Sequence, residues 1–315
     1  MNTRMDASIN ARNVLGEDFF GGWEPSDRDL LMKYRKETQG ESGYLTDFLG
    51  VRTSAALVPW VAHLAGSIVV DIPIPDDGVR AEAIEYIALL NSLERASEGQ
   101  YAVVELGASY APWTCAAGVL AMRKGIGKIS LRSVEASSFF QPHIKTNLEK
   151  NGLMNPPAGI SINVKIFAGA ASTKKDEMFF PLVTSASENG GAVSDENVEV
   201  DYVGRKVANE KVTTYTLDEI LAGIEIVDFL HCDIQGAERE VLLGGAALLS
   251  QRVKSIFIGT HSRSIEGALI ECFHTYGWNL IRERPTKFIH RPELHSTVGM
   301  TTRDGGQFWI NRRFI

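Results

Sequence analysis

Residues 101–111 read Tyr-Ala-Val-Val-Glu-Leu-Gly-Ala-Ser-Tyr-Ala, an apolar run that ends at Glu105 and Leu106 and gives way to the small residues Gly107, Ala108 and Ser109. A buried strand that stops at a glycine and turns into a helix is the first half of a βαβ unit. In open parallel sheets, ligands settle outside the carboxyl ends of such strands. Four more short apolar runs follow, at residues 129–135, at the alternating Ile160, Ile162, Val164 and Ile166, at residues 226–232 and at residues 255–258. Helical spacing separates them. Ile265, Ala268, Leu269, Cys272, Phe273 and Tyr276 recur at steps of three and four, with Ser264 able to cap the start and Gly277 the end. Upstream, Ala81, Ile84, Ile87, Ala88, Leu90 and Leu93 predict a helix over residues 78–94 with Asp76 or Asp77 as cap. This alternation predicts an α/β fold, a mostly parallel sheet with helices on both faces. At the end, Asp304-Gly305-Gly306 reads as a turn, and residues 307–312 as a last strand folding back antiparallel.

The chain has 315 residues, 44% of them hydrophobic, enough for one large domain with an accessory segment. The expected division is an N-terminal accessory segment over 1–75, forming a lid or a homodimer surface, and a ligand-binding domain over 76–315. A net charge of -7 argues against nucleic acid as a partner. Cys115, Cys232 and Cys272 have no pair spacing and read as reduced core thiols. Residues 1–20 are polar, without a stretch suited to a signal or a membrane span, so a cytoplasmic location is expected. The polar, Gly-containing residues 184–196 read as a surface loop, with a lid as the alternative.

Glu135 ends the second run, 28 residues beyond Gly107. An acid there, next to Ala136, can accept hydrogen bonds from both hydroxyls of a ribose, each contributing roughly 1.5–3 kcal/mol. A dinucleotide site would want a fuller glycine motif and an acid about 20 residues on. Here Ser109 and Pro112 stand at two of the glycine positions, which disfavours a nicotinamide cofactor. The fourth run closes on His231, Asp233, Gln235 and Glu238, polar groups that are costly unless they face a cleft or pair with one another.

That block, Asp233-Ile234-Gln235-Gly236-Ala237-Glu238 followed by Glu240-Val241-Leu242, resembles the signature of the FkbM family of methyltransferases. Thr216-Leu217-Asp218-Glu219 and Asn151-Gly152-Leu153 strengthen the resemblance, which spans about residues 100–310. It implies a class I methyltransferase, Rossmann-like sheet of seven strands with S-adenosyl-L-methionine as donor, and methylation of a hydroxyl on a small molecule or sugar. By position, Glu105, Gly107, Ala108 and Ser109 would line the methionine part, Glu135 and Ala136 the ribose, and Gly169 or Ala170 the adenine. Asp233 would sit near the transferred methyl, and Gln235 is a further cofactor-binding candidate. The chain departs from the family at Glu105, Ser109, Ala111, His231 and Gly259-Thr260-His261. His261, with an ordinary pKa of about 6.5, is the first candidate for general base, Asp233 the second and His231 the third. A divalent ion on Asp233 is an alternative the spacing does not require. A nicotinamide-dependent oxidoreductase and a non-catalytic nucleoside-binding protein are the rival readings.

Overall fold

In the computed structural model, residues 21–315 are described apart from Val70, Glu98 and Asn189; the polar residues 1–20 lie outside them. Seven strands form the main sheet: β1 (Gln100–Leu106), β2 (Lys128–Glu135), β3 (Ser161–Ala168), β4 (Phe229–Cys232), β5 (Ser255–Thr260), β6 (Trp278–Arg284) and β7 (Gly305–Asn311). Their order is β6-β7-β5-β4-β1-β2-β3. Strands β1 to β5 pair in parallel. β7 enters antiparallel between β5 and β6. This is the class I methyltransferase sheet, and the order reverses between β1 and β4, the switch point where ligands bind in such folds.

The sheet divides two apolar cores. Helices α1 (Ala83–Glu94), α2 (Pro112–Arg123) and α3 (Gln141–Lys150) cover one face, where they bury Leu89, Trp113 and Ile144 against Phe229 and Phe257. Helices α4 (Glu238–Gly244) and α5 (Arg263–Thr275), with the short helix Ala246–Arg252 between them, cover the other. Leu31, Phe48, Leu49 and Val51 belong to the first core, so the described part of the N-terminal segment is packed into the same body. Arg282 of β6 also holds Asp27 through paired contacts at 2.9 and 3.0 Å.

Three local expectations are corrected. The first helix begins at Ala83, because Asp77 Oδ1 accepts the N–H groups of Val79, Arg80 and Ala81 and holds them in a turn. Its cap is Glu82, in a reciprocal box with Glu85. Helix α5 is capped by Ser262 and not Ser264; the Ser262 hydroxyl accepts from Ile265 N at 3.2 Å. Gly277 does end it, at φ +80°. Gly305 and Gly306 are not a turn but the first residues of β7, paired with Thr260 and Gly259. A Cβ on Gly305 would collide with Glu266 and Thr260, so the glycine serves close packing.

Candidate active site

At the switch point the ends of β1 and β4 nearly touch. Asp233 N donates to Leu106 O at 3.0 Å. A Cβ on Gly107, which sits at φ +76°, would overlap the Asp233 carbonyl oxygen. Beyond this contact opens a cavity of about 550 Å³, within the range of small-molecule sites. Every residue expected at the site lines it except His261, which stands behind Asp233.

One end of the cavity lies over β1, β2 and β3. Glu135 is buried there, its carboxylate accepting from Ser109 N and Ser137 N, at 2.5 and 2.7 Å. Burial raises its pKa to about 7, only partly offset by the amides of Ser137, Ser109 and Ala136. The hydroxyls of Ser109 and Ser137 are buried and have no hydrogen-bond partner among the described residues. A carboxylate with two idle hydroxyls beside it is a polar surface waiting for a polar ligand. Gly169 and Ala170 border the same end, and a Cβ on Gly169 would strike Thr213 O. Glu105 is turned differently from expectation. Its oxygens accept from Trp113 N, Thr114 N and Thr114 Oγ1, so its carboxylate anchors the start of α2.

The other end lies over β4 and β5. His261 bridges two acids, donating from Nδ1 to Glu238 Oε1 at 2.8 Å and facing Asp233 Oδ1 from Nε2 at 3.3 Å. Burial works against its charge, but the Glu238 and Asp233 carboxylates overrule it and hold the imidazolium well above its ordinary pKa. Burial would likewise raise Asp233, yet His261 keeps it below the usual carboxylate range. His261 therefore has no ring nitrogen left to take a proton from an acceptor, unlike the free base expected. Asp233 is the member of the trio that meets the cavity, with Oδ2 packed where a side chain on Gly259 would stand. Asp233, Glu238 and His261 bring ligand-type atoms within 4.8 Å of one another, as in a cation site. Glu238 already accepts from Ile234 N and Gly236 N as well as His261, so the trio is satisfied by its own contacts.

Gln235, at φ +52°, donates from Nε2 to Asp233 Oδ1 at 3.1 Å and accepts from Tyr202 Oη at 3.0 Å. Tyr202 Oη also reaches Gly190 O, at 2.7 Å. Residues 184–196 thus overhang the site: Glu188, Gly190, Gly191 and Val193 all line the cavity.

His231 lies deeper, its ring between Trp113 and Phe257 with centroids 5.2 and 5.0 Å away. Burial lowers its pKa to about 4, so it is neutral. Its Nε2 is hydrogen-bonded to Glu85 Oε2 at 3.0 Å, while Nδ1 has no partner among the described residues. Glu85, Trp113, Phe257 and Asp304 were not foreseen as site residues. The signal for Glu85 was there: a lone acid between Ile84 and Ile87, in a helix whose residues are buried almost all round.

Sheet order, glycine contact and acid at the end of β2 together define a class I methyltransferase. The "Methyltransferase FkbM domain" family matches residues 105–276. A protein of Jannaschia sp. (strain CCS1) named "Putative methyltransferase" is 31% identical over 258 residues, 80% of this chain and 89% of that one. The chain belongs to the FkbM methyltransferase family. Among solved structures it is similar to a precorrin-6y C5,15-methyltransferase from Geobacter metallireducens GS-15, with TM-score 0.39, 11% identity and coverage of 73% and 87% of the two chains. It is also similar to a ribosomal protein L11 methylase from Lactobacillus delbrueckii subsp. bulgaricus, with TM-score 0.36, 10% identity and coverage of 78% and 85%.

Proposed function

We propose that this protein is an S-adenosylmethionine-dependent O-methyltransferase whose acceptor is a hydroxyl of a small polar molecule, a sugar or a sugar-like polyol. The observation that carries the reading is the position of Asp233, a carboxylate held ionised by His261 at the mouth of β4, across one cavity from Glu135. Glu135 suits the two ribose hydroxyls, and the idle hydroxyls of Ser109 and Ser137 suit further polar atoms of the donor. When bound, S-adenosylmethionine supplies a methyl group on a cationic sulfur, which leaves as a neutral thioether.

The acceptor oxygen must approach that methyl in line, and positioning supplies much of the rate. Asp233 Oδ2 holds the acceptor O–H. Asp233 would take the proton that the acceptor oxygen loses as it is methylated. The role expected of His261 thus moves to Asp233, with His261 and Glu238 holding it in place. No divalent ion is needed for this sequence of events.

Calorimetric titration with S-adenosylmethionine, S-adenosylhomocysteine and NAD tests the donor. Micromolar binding of both adenosyl ligands is expected, with a loss of at least about tenfold, roughly 1.4 kcal/mol, in Glu135→Ala. NAD binding in their place would return the oxidoreductase reading.

A further inference from the structure

The acceptor end of the cavity has a chemistry that methyl transfer to a plain hydroxyl does not require. Besides Glu105, Glu135 and Glu188, the cavity is lined by Glu82, Glu85, Asp233 and Asp304 and by Arg80 and Arg303, the last of which has interactions of its own. Arg80 is committed elsewhere, paired with the buried Asp47 at 2.7 Å. Glu82 is balanced by Arg284, and Asp233 shares His261 with Glu238. The hydrogen bonds of Glu85 go to uncharged groups: its Oε1 accepts from Glu82 N and its Oε2 meets neutral His231. It is 7% exposed. Burial first, then the nearby charges of Glu82 and Asp233, push its pKa well above the ordinary value. Burying an acid beside two others is unfavourable unless something compensates it when the site is filled.

Two further observations point to a ligand. His231 Nδ1 is buried without a partner in a residue that lines the cavity. The rings of Trp113 and Phe257, stacked on either side of His231, belong to the same wall, and Trp60 also lines the cavity. A buried carboxylate beside an unpartnered imidazole nitrogen, walled by apolar rings, offers an organic ammonium group an ion pair and a hydrogen-bond acceptor together. An anionic or phosphorylated acceptor would meet repulsion there.

We infer that the acceptor is an amine-bearing alcohol, such as an amino sugar or aminocyclitol, whose ammonium group docks against Glu85 while its hydroxyl reaches Asp233. This rests on the O-methyltransferase reading above and adds the charge of the substrate to it. Glu85 is a specificity-determining residue: it selects the acceptor, and Asp233 serves the reaction.

The test uses the whole protein saturated with S-adenosylhomocysteine. Binding is measured for glucosamine and 2-deoxystreptamine, and for glucose, scyllo-inositol and glucuronic acid. The amines should bind at least about tenfold tighter than their neutral counterparts, with glucuronic acid weakest. Glu85→Gln, which keeps the shape and the contact with Glu82 N, should erase that preference while leaving S-adenosylhomocysteine affinity within about twofold. Asp304→Asn, outside any helix, should reduce the preference without touching the α1 cap. Equal binding of amines and neutral polyols, tighter binding of the neutral or acidic probes, or no binding of either amine overturns the inference. Failure of S-adenosylhomocysteine itself to bind overturns the donor reading beneath it, a result told apart because it precedes every acceptor titration.

Discussion

With Glu135 as the proposed ribose ligand, donor binding is coupled to pH. Its pKa of about 7 would fall when ribose hydroxyls donate to its ionised form, so binding would release a proton. Affinity for S-adenosylhomocysteine should therefore tighten between pH 6 and 8, by up to about tenfold per pH unit below 7. Glu135→Gln should bind weakly and nearly independently of pH in the same calorimetric series. The sign for stability is opposite. The folded protein holds this proton where the unfolded chain, with an ordinary glutamate, has lost it, so the contribution is present at low pH and fades as pH rises through about 7. His261 has the reverse partner set. Its raised pKa gives stability that is full below about 6.5 and lost only as alkaline pH strips the imidazolium. His261→Ala leaves Glu238, 0% exposed, without its counter-charge. It should lose about 3–5 kcal/mol in urea unfolding.

At this scale the sequence was informative where a residue's address decides its role. Glu135 and Asp233 close strands at the switch point, and strand ends can be read from apolar runs. Partner choice could not be read, because it depends on elements far apart in the chain. Nothing near His261 announces that Glu238 and Asp233 will flank it. Nothing near Glu105 shows its carboxylate turning toward α2, and Glu85 lies 146 residues from His231.

Among the elements, the turn of β5 into α5 offers the sharpest test of the proposed base. A Cβ on Gly259 would stand 3.1 Å from Asp233 Oδ2 and Cγ. Gly259→Ala should shift that carboxylate by a few tenths of an ångström and lower kcat by roughly 10- to 100-fold, with donor affinity and melting temperature little changed. Unchanged kcat would remove Asp233 from the proton's path. Gly107→Ala differs, because the residue is at φ +76° and the new methyl meets a backbone oxygen. It should abolish donor binding and lower stability by at least about 1–2 kcal/mol. The strand and helix succession was legible from periodicity, since each run has a distinct period. The ends were less so. Asp77 diverts three amide groups from α1 before Glu82 takes over the cap, and the Gly305-Gly306 pair mimics a turn while serving a strand.

For the molecule as a whole, the decisive fact is that the first core takes residues from both the N-terminal segment and the sheet domain. Leu31 is 0% exposed against the same cluster as Leu89 and Leu93. Leu31→Ala should therefore cost the entire fold about 2–5 kcal/mol, seen as a lower urea midpoint with an unchanged slope in a single transition. Two separate transitions would show that the segment folds on its own. This merging escaped the sequence, because residues 21–75 carry only short helical and strand patterns and their apolar positions find partners in distant elements, as Phe48 does with Tyr86 of α1.

The insertion of β7 between β5 and β6 sets a timetable for the nascent chain. Six strands precede residues 305–311 in the chain, yet until these arrive β5 has an open edge and β6 has no strand to pair with. The wall of the cavity that β5 builds with the start of β7, Gly259 against Asp304 and Gly305, is finished by the same event. The pairing that closes the exposed β5 edge therefore also completes the binding site.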